Sequence, residues 1–218
     1  MAFQPMPLSR KPAPFDHPEW IFELKYDGFR SLAVIQNGRA ELISRNGNSF
    51  KSFESLRKEL KSPYPGKTVL DGEIVCLGKR GKPQFRDLLF HRGEPYFFAF
   101  DLLMSDGKDL RPEKLADRKQ ELRRLLSNVQ ASRMHYADHV AQYGTALFQR
   151  VCKLDLEGIV AKHSLAPYTT ERERTTGSRS RIGTIHRWKA AKTCSSANVI
   201  RNLLLGGMPA IWRVKKYE

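Results

Sequence analysis

The octet Glu23-Leu24-Lys25-Tyr26-Asp27-Gly28-Phe29-Arg30 puts a lysine at the end of an apolar run and follows it at once with a turn and a second cation. An ammonium is costly to bury without a partner, so the position calls for a reason. One reason is simple: a surface lysine ahead of a hairpin. The other is chemical. Partial burial beside a cation such as Arg30 leaves part of an amine neutral, which a lysine nucleophile requires. Glu23 lies two residues before Lys25 and shares its strand face. Two further carboxylates, Glu73 and Glu157, stand at the edges of apolar segments. Each is explained by a divalent metal ion held through hard oxygen ligands, or by a structural salt bridge.

The elements that must position these residues follow from pattern. Trp20 to Lys25 reads as a strand. Phe29 to Ile35 and Ala40 to Ser44 read as a hairpin closed by Asn37-Gly38, a strong short-range hairpin signal. Phe50 to Leu60 carries Phe53, Leu56 and Leu60 on one helical face. Thr68 to Leu77 reads as a strand interrupted by Asp71-Gly72, and Phe85 to Phe90 as a helical turn. Tyr96 to Met104 is aromatic and apolar nearly throughout, as a strand buried on both faces is. Helices are expected over Glu113 to Leu126 and His139 to Leu154, with short strands at Met134 to Ala137 and Gly158 to Lys162. Residues 1–18, with Pro5, Pro7, Pro12, Pro14 and Pro18, read as an extended arm. Strands and helices mixed without strict βαβ order predict an α+β fold of largely antiparallel sheets.

Composition narrows the partners. The chain has 218 residues with 38 Lys/Arg against 23 Asp/Glu, a net charge of +15, which favours polyanions: nucleic acid, nucleotides or an anionic surface. The surplus is uneven, because residues 170–218 hold eleven Lys/Arg and three Asp/Glu. No apolar run approaches the roughly 20 residues of a membrane span, and Met1 to Pro14 lacks an apolar signal core. Cys76, Cys152 and Cys194 are odd in number and far apart, so they form neither a metal-ligand spacing nor a disulfide framework. A reducing cytoplasm, with nucleoid association, is the expected location, and no membrane partner is expected.

Lys25-Tyr26-Asp27-Gly28-Phe29-Arg30 resembles the K-x-D-G-x-R signature of the covalent nucleotidyltransferases: ATP-dependent DNA ligases, RNA ligases and mRNA capping enzymes. Further blocks follow in that family's order. They are Ser44-Arg45-Asn46-Gly47, Leu70-Asp71-Gly72-Glu73-Ile74-Val75, Phe98-Ala99-Phe100-Asp101-Leu102-Leu103 and Glu157-Gly158-Ile159-Val160-Ala161-Lys162. Together the blocks span residues 19–163 and are most similar to the ligase domain of bacterial ATP-dependent DNA ligases, including those of end-joining repair.

The resemblance implies an ATP-grasp-like covalent nucleotidyltransferase fold and a cycle with ATP and Mg2+ (or Mn2+) as cofactors. Lys25 would attack the α-phosphate of ATP to give a lysine–AMP adduct. AMP would pass to the 5′-phosphate of nicked double-stranded DNA, and the 3′-hydroxyl would then seal the nick, in DNA repair or recombination. It further implies that Glu23 accepts a hydrogen bond from the adenine amino group, and that Arg30 and Arg45 contact ribose and phosphate. Phe100 and Val160 would stack on the two faces of adenine, Lys162 would meet the α-phosphate, and Glu73 and Glu157 would hold the metal. Ordinary core packing is the alternative for Phe100 and Val160. Asp27 and Asp101 read as shaping turns and orienting neighbours.

The family's last block, W-x-K-x-K, is met only by Trp188-Lys189-Ala190-Ala191-Lys192, whose lysines are three apart. In a strand they face opposite sides; in a helix they share one. Lys189 and Lys192 are the candidates for the triphosphate. The organisation expected is an arm over 1–18, an adenylation core over 19–168 and an atypical basic segment over 169–218. No OB-fold domain is expected, since 26 residues follow Lys192; a partner module would have to supply one. Two other functions fit the same blocks: an RNA ligase-type nucleotidyltransferase, and a catalytically impaired nucleic-acid-binding domain of this fold.

Overall fold

A computed structural model describes residues 3–6, 13–61, 64, 66–79, 81–128 and 131–169, with the backbone alone at 9–10 and 186–189. Two sheets carry the fold. The first is six-stranded. Its path runs β4 (Arg39–Ser44), β3 (Phe29–Gln36), β5 (Thr68–Cys76), β6 (Pro95–Ser105), β7 (Lys108–Asp109), and β8 (Met134–Tyr136) pairs with β6 in parallel. The second is five-stranded. Its order is β1 (Ser9–Arg10), β11 (His186–Lys189), β10 (Gly158–His163), β2 (Asp16–Leu24), β9 (His139–Tyr143). All pairings but β1 with β11 and β6 with β8 are antiparallel.

The first sheet buries one face beneath three helices: α1 (Glu54–Glu59), α2 (Phe85–Leu89) and α3 (Leu115–Ser127). Leu42, Leu70, Ile74, Phe97 and Leu102 of the strands meet Leu56, Leu88 and Leu122 of the helices there. The second sheet is covered by α4 (Gly144–Lys153), where Phe22, Ile159 and Ala161 pack on Leu147 and Val151. The opposed faces of the sheets meet around Tyr26, Val75, Phe98, Phe100 and Ala137. The Asn37-Gly38 hairpin forms as the sequence predicts, with both residues at positive φ (51° and 67°).

Two expectations are corrected. The stretch His139 to Leu154 is not one helix. Its first five residues form β9 on the edge of β2, and the helix begins only at Gly144, beneath the ring of Phe22. The arm is also shorter than its prolines suggest, since β2 starts at Asp16 and contains Pro18. Its ladder with β9 shifts register between His17 and Ile21, so Pro18 falls where a missing N–H costs nothing. For the C-terminal segment, the backbone of 186–189 is strand, antiparallel to β10, with Lys189 opposite Gly158. Lys192 and the rest of 190–218 lie outside the described residues.

Candidate active site

The facing surfaces of the two sheets bring the motif blocks together. On β2 the alternation sends Phe22 to the α4 core and Glu23 to the opposite face, and Lys25 follows just past the strand end. The Lys25 N–H donates to the carbonyl of Gly158 at 2.9 Å, which fixes where the side chain leaves the sheet. Gly28 then lies so close to β5 that a Cβ there would strike the carbonyl oxygen of Ile74. This tight approach is the physical demand behind Asp27-Gly28; Asp27 itself is exposed.

On the first sheet, register does the positioning. Arg30 stands opposite Glu73, and Glu73 opposite Phe98. Between β5 and β6 the pairing steps from Gly72–Ala99 to Asp71–Asp101, so Phe100 is an extra, bulged residue. The bulge sets Phe98, Phe100 and Asp101 on the same sheet face as Asp71 and Glu73. Gly72 permits the close crossing, since a Cβ there would meet the backbone oxygen of Phe98 at 2.5 Å.

Lys25 Nζ pairs with Glu157 Oε1, both about one-fifth exposed or less. Glu73 is next to this pair: burial pushes its carboxyl up to about 8, against the opposing pull of Arg30 and Lys25. Arg30 is bidentate on Asp71, with both bonds at 2.6 Å, and its guanidinium lies 4.4 Å from the centroid of Phe100. Lys162 Nζ lies 4.3 Å from the same centroid and 2.7 Å from Glu23 Oε2. Burial lowers the basicity of Lys162, opposed by Glu23. For Glu23, burial alone would raise the carboxyl, but Lys119 and Lys162 hold it below its ordinary value. Val160 is buried and opposite Glu23 on β10.

Thus Glu23, Lys25, Arg30, Glu73, Phe100, Glu157, Val160 and Lys162 gather where the two sheets face each other. Lys162 sits on Glu23, which was expected to be free for adenine. Arg45 is exposed in the turn after β4, level with Arg30, because Ser31 pairs with Ser44 one step inside. Only the backbone of Lys189 is described, and Lys192 is outside the described residues.

Sequence reading missed two cations of α3. Arg118 is bidentate on Asp101 (2.7 and 2.9 Å) and also donates to the carbonyls of Glu113 and Ala166. Asp101 thus holds a neighbour, Arg118, as expected, but it stands within β6 and shapes no turn. Lys119 donates to Glu23 Oε1 and to the carbonyl of Ala137, each at 2.7 Å. A signal was present. Leu115, Arg118, Lys119, Leu122 and Leu125 follow inward helical spacing, and all five are buried, so two cations occupy core positions. Tyr168 was also missed as a contact. Its hydroxyl donates to Asp71 at 2.6 Å and accepts from the N–H of Met6 at 2.9 Å.

A family profile described as "ATP dependent DNA ligase domain" matches residues 9–177. The chain belongs to the ATP-dependent DNA ligase domain family. A multifunctional non-homologous end joining protein LigD of Pseudomonas aeruginosa is 34% identical over 160 residues, covering 71% of this chain and 19% of that protein. A bifunctional non-homologous end joining protein LigD of Bacillus subtilis is 34% identical over 196 residues, covering 74% and 31%. This ligase-family chain therefore spans a third or less of those two relatives' lengths. Among solved structures, mycobacterial DNA ligase D complexed with ATP and MES superposes with a TM-score of 0.69 at 26% identity, covering 84% of this chain and 60% of that one. Lig E DNA ligases share the fold alone, at a TM-score of 0.62 and 16% identity. Among the described residues, no helix of this ligase-family chain is long and apolar enough to cross a membrane.

Proposed function

We propose that this chain is the adenylation unit of an ATP-dependent DNA ligase of the end-joining type. The observation that carries the reading is Lys25, held at a strand end by Glu157 and flanked by half-buried Glu73 and Arg30. In this reading the ammonium of Lys25 gives a proton to solvent, leaving Glu157 ionised, and the amine attacks the α-phosphorus of ATP. A P–N bond forms, the bond from the α-phosphorus to the oxygen bridging to the β-phosphate breaks, pyrophosphate leaves, and the nitrogen sheds its second proton to solvent.

Adenine stacks on Phe100, with Val160 on the other side, and Glu23 accepts from its amino group. Lys162 exchanges its contact with Glu23 for the α-phosphate oxygens as nucleotide binds. Arg30 and Arg45 contact ribose and phosphate, and Lys189 and Lys192 serve the triphosphate end.

The oxygen donors Glu73 and Glu157 suit Mg2+ or Mn2+. Among the described residues no group of three or more His, Cys, Asp or Glu gathers for a metal. That fits an ion held by one or two carboxylates and completed by water and phosphate. When bound, the ion supplies positive charge to the phosphate oxygens.

AMP then passes to the 5′-phosphate of nicked duplex DNA, in repair and recombination in the cytoplasm. We divide the chain into an arm (1–18), whose last three residues already run in β2, an adenylation core (19–168) and a basic segment (169–218) that adds phosphate contacts. The test is an intact mass after incubation with ATP and magnesium. The expected result is an added AMP that disappears in Lys25→Ala. A wild-type protein that melts cooperatively, is not already adenylated, and gains no mass overturns the reading. Sealing of matched DNA and RNA nicks then identifies the acceptor.

A further inference from the structure

Lys119 is a lysine with almost no access to water, its side chain 2% exposed, on a helix that none of the motif blocks includes. Its ammonium makes two bonds of 2.7 Å to two different layers. One goes to Glu23 Oε1 on the five-stranded sheet. The other goes to the carbonyl of Ala137, just past β8 on the six-stranded sheet. Ala137 in turn donates its N–H to the carbonyl of Ala99 at 2.8 Å, one residue from Phe100. The ring of Tyr136 closes over the ammonium at 4.3 Å. Lys119 is therefore a strut between the two sheets, with the Glu23 carboxylate at one end and the backbone beside Phe100 at the other.

Resting on the ligase reading above, we propose that Lys119 is the positioning residue that makes the site choose adenine over a 6-oxo purine. The stacking ring and the edge-reading carboxylate belong to different sheets, and a purine is read only if their separation and angle are fixed. Lys119 fixes both. It also keeps Glu23 an obligate acceptor. An acceptor there welcomes the 6-amino group of adenine and repels the 6-carbonyl of hypoxanthine or guanine, which is discrimination by an unfavourable contact as well as a favourable one. Lys162 does not duplicate this role, since it leaves Glu23 for phosphate in the same reading, whereas Lys119 stays tied to the carbonyl of Ala137.

The test compares single-turnover formation of the lysine–nucleotide adduct from ATP and from inosine triphosphate, in wild type and in Lys119→Met. For the variant we expect the ATP concentration at half-maximal rate to rise about tenfold, and the preference for ATP over ITP to fall about tenfold. The maximal rate with ATP should stay within about threefold of wild type. A purely structural role would depress both nucleotides alike, so an unchanged preference overturns the proposal. If Lys119→Met does not melt cooperatively, Lys119→Gln keeps a donor for the Ala137 carbonyl, removes the charge, and is judged by the same preference. If the wild type forms adduct and the variant keeps its selectivity, the specificity role falls while the ligase reading stands. A wild type with no adduct takes both down.

Discussion

On the six-stranded sheet the buried charges are arginine–aspartate pairs joined by two bonds each. Arg30 grips Asp71 and Arg118 grips Asp101, on carboxylates that stand opposite each other across β5 and β6. On the five-stranded sheet the charges are lysines touching glutamates at single oxygens: Lys25 on Glu157, Lys162 and Lys119 on Glu23. The guanidinium fork matches a carboxylate in a plane and resists both rotation and loss of its proton. An ammonium on four methylenes makes a point contact, can swing to another acceptor, and can become an amine. One sheet thus uses charge as framework. The other relies on single-point contacts that a bound phosphate could redirect, with Lys119, tied down at both ends, the exception on its border.

The sharpest break of this contrast is Lys25→Ala. It should abolish the lysine–AMP adduct while shifting the thermal midpoint by no more than about 2 °C, since the pair is a single partly exposed contact. Adduct persisting at the wild-type level would remove Lys25 from its role. On the framework side, Arg118→Met strands the buried Asp101 carboxylate. It should cost about 3–5 kcal/mol of stability, read from urea unfolding. A loss under about 1 kcal/mol would mean that the fork is ornamental.

Glu73 gives a pH-dependent case. Its native carboxyl titrates near 8, above the ordinary 4.5, so the folded chain holds that proton more tightly than the unfolded one. Stability is then lost as pH rises from about 4.5 towards 8. Without nucleotide or metal, Glu73→Gln should raise the melting temperature more at pH 8.5 than at pH 5, while slowing adenylation. An equal gain at both pH values would contradict the burial argument. The smallest effect is expected at Arg45, exposed beyond the hairpin. Arg45→Ala should weaken ATP binding by a few-fold and leave the melt unchanged, which a nucleotide titration followed by differential scanning would check.

The parts of this architecture that sequence reveals are those encoded locally. The Asn37-Gly38 hairpin, the buried run of β6 and the Lys25 turn follow from residues adjacent in the chain. What stayed hidden depends on distant partners. Lys119 meets a carboxylate 96 positions away, so its helix looked like any amphipathic helix with charged positions. The strand over His139–Tyr143 reads as helix by composition and becomes β9 only because β2 offers an edge to pair with. The bulge at Phe100 is a property of two strands in register, and neither β5 nor β6 carries it alone.

The pairing of β2 with β10 has a consequence in time. Residues 16–24 leave the ribosome well before residues 158–163, which complete the pairing of the strand they form. The six-stranded sheet, by contrast, closes its principal hairpins over short separations and has all its strands once residue 136 is made. During synthesis β2 must therefore wait, its edge towards β10 unpaired, until nearly the whole described length has emerged. The platform that would stack the base can exist before the residue that would carry its phosphate is held in place.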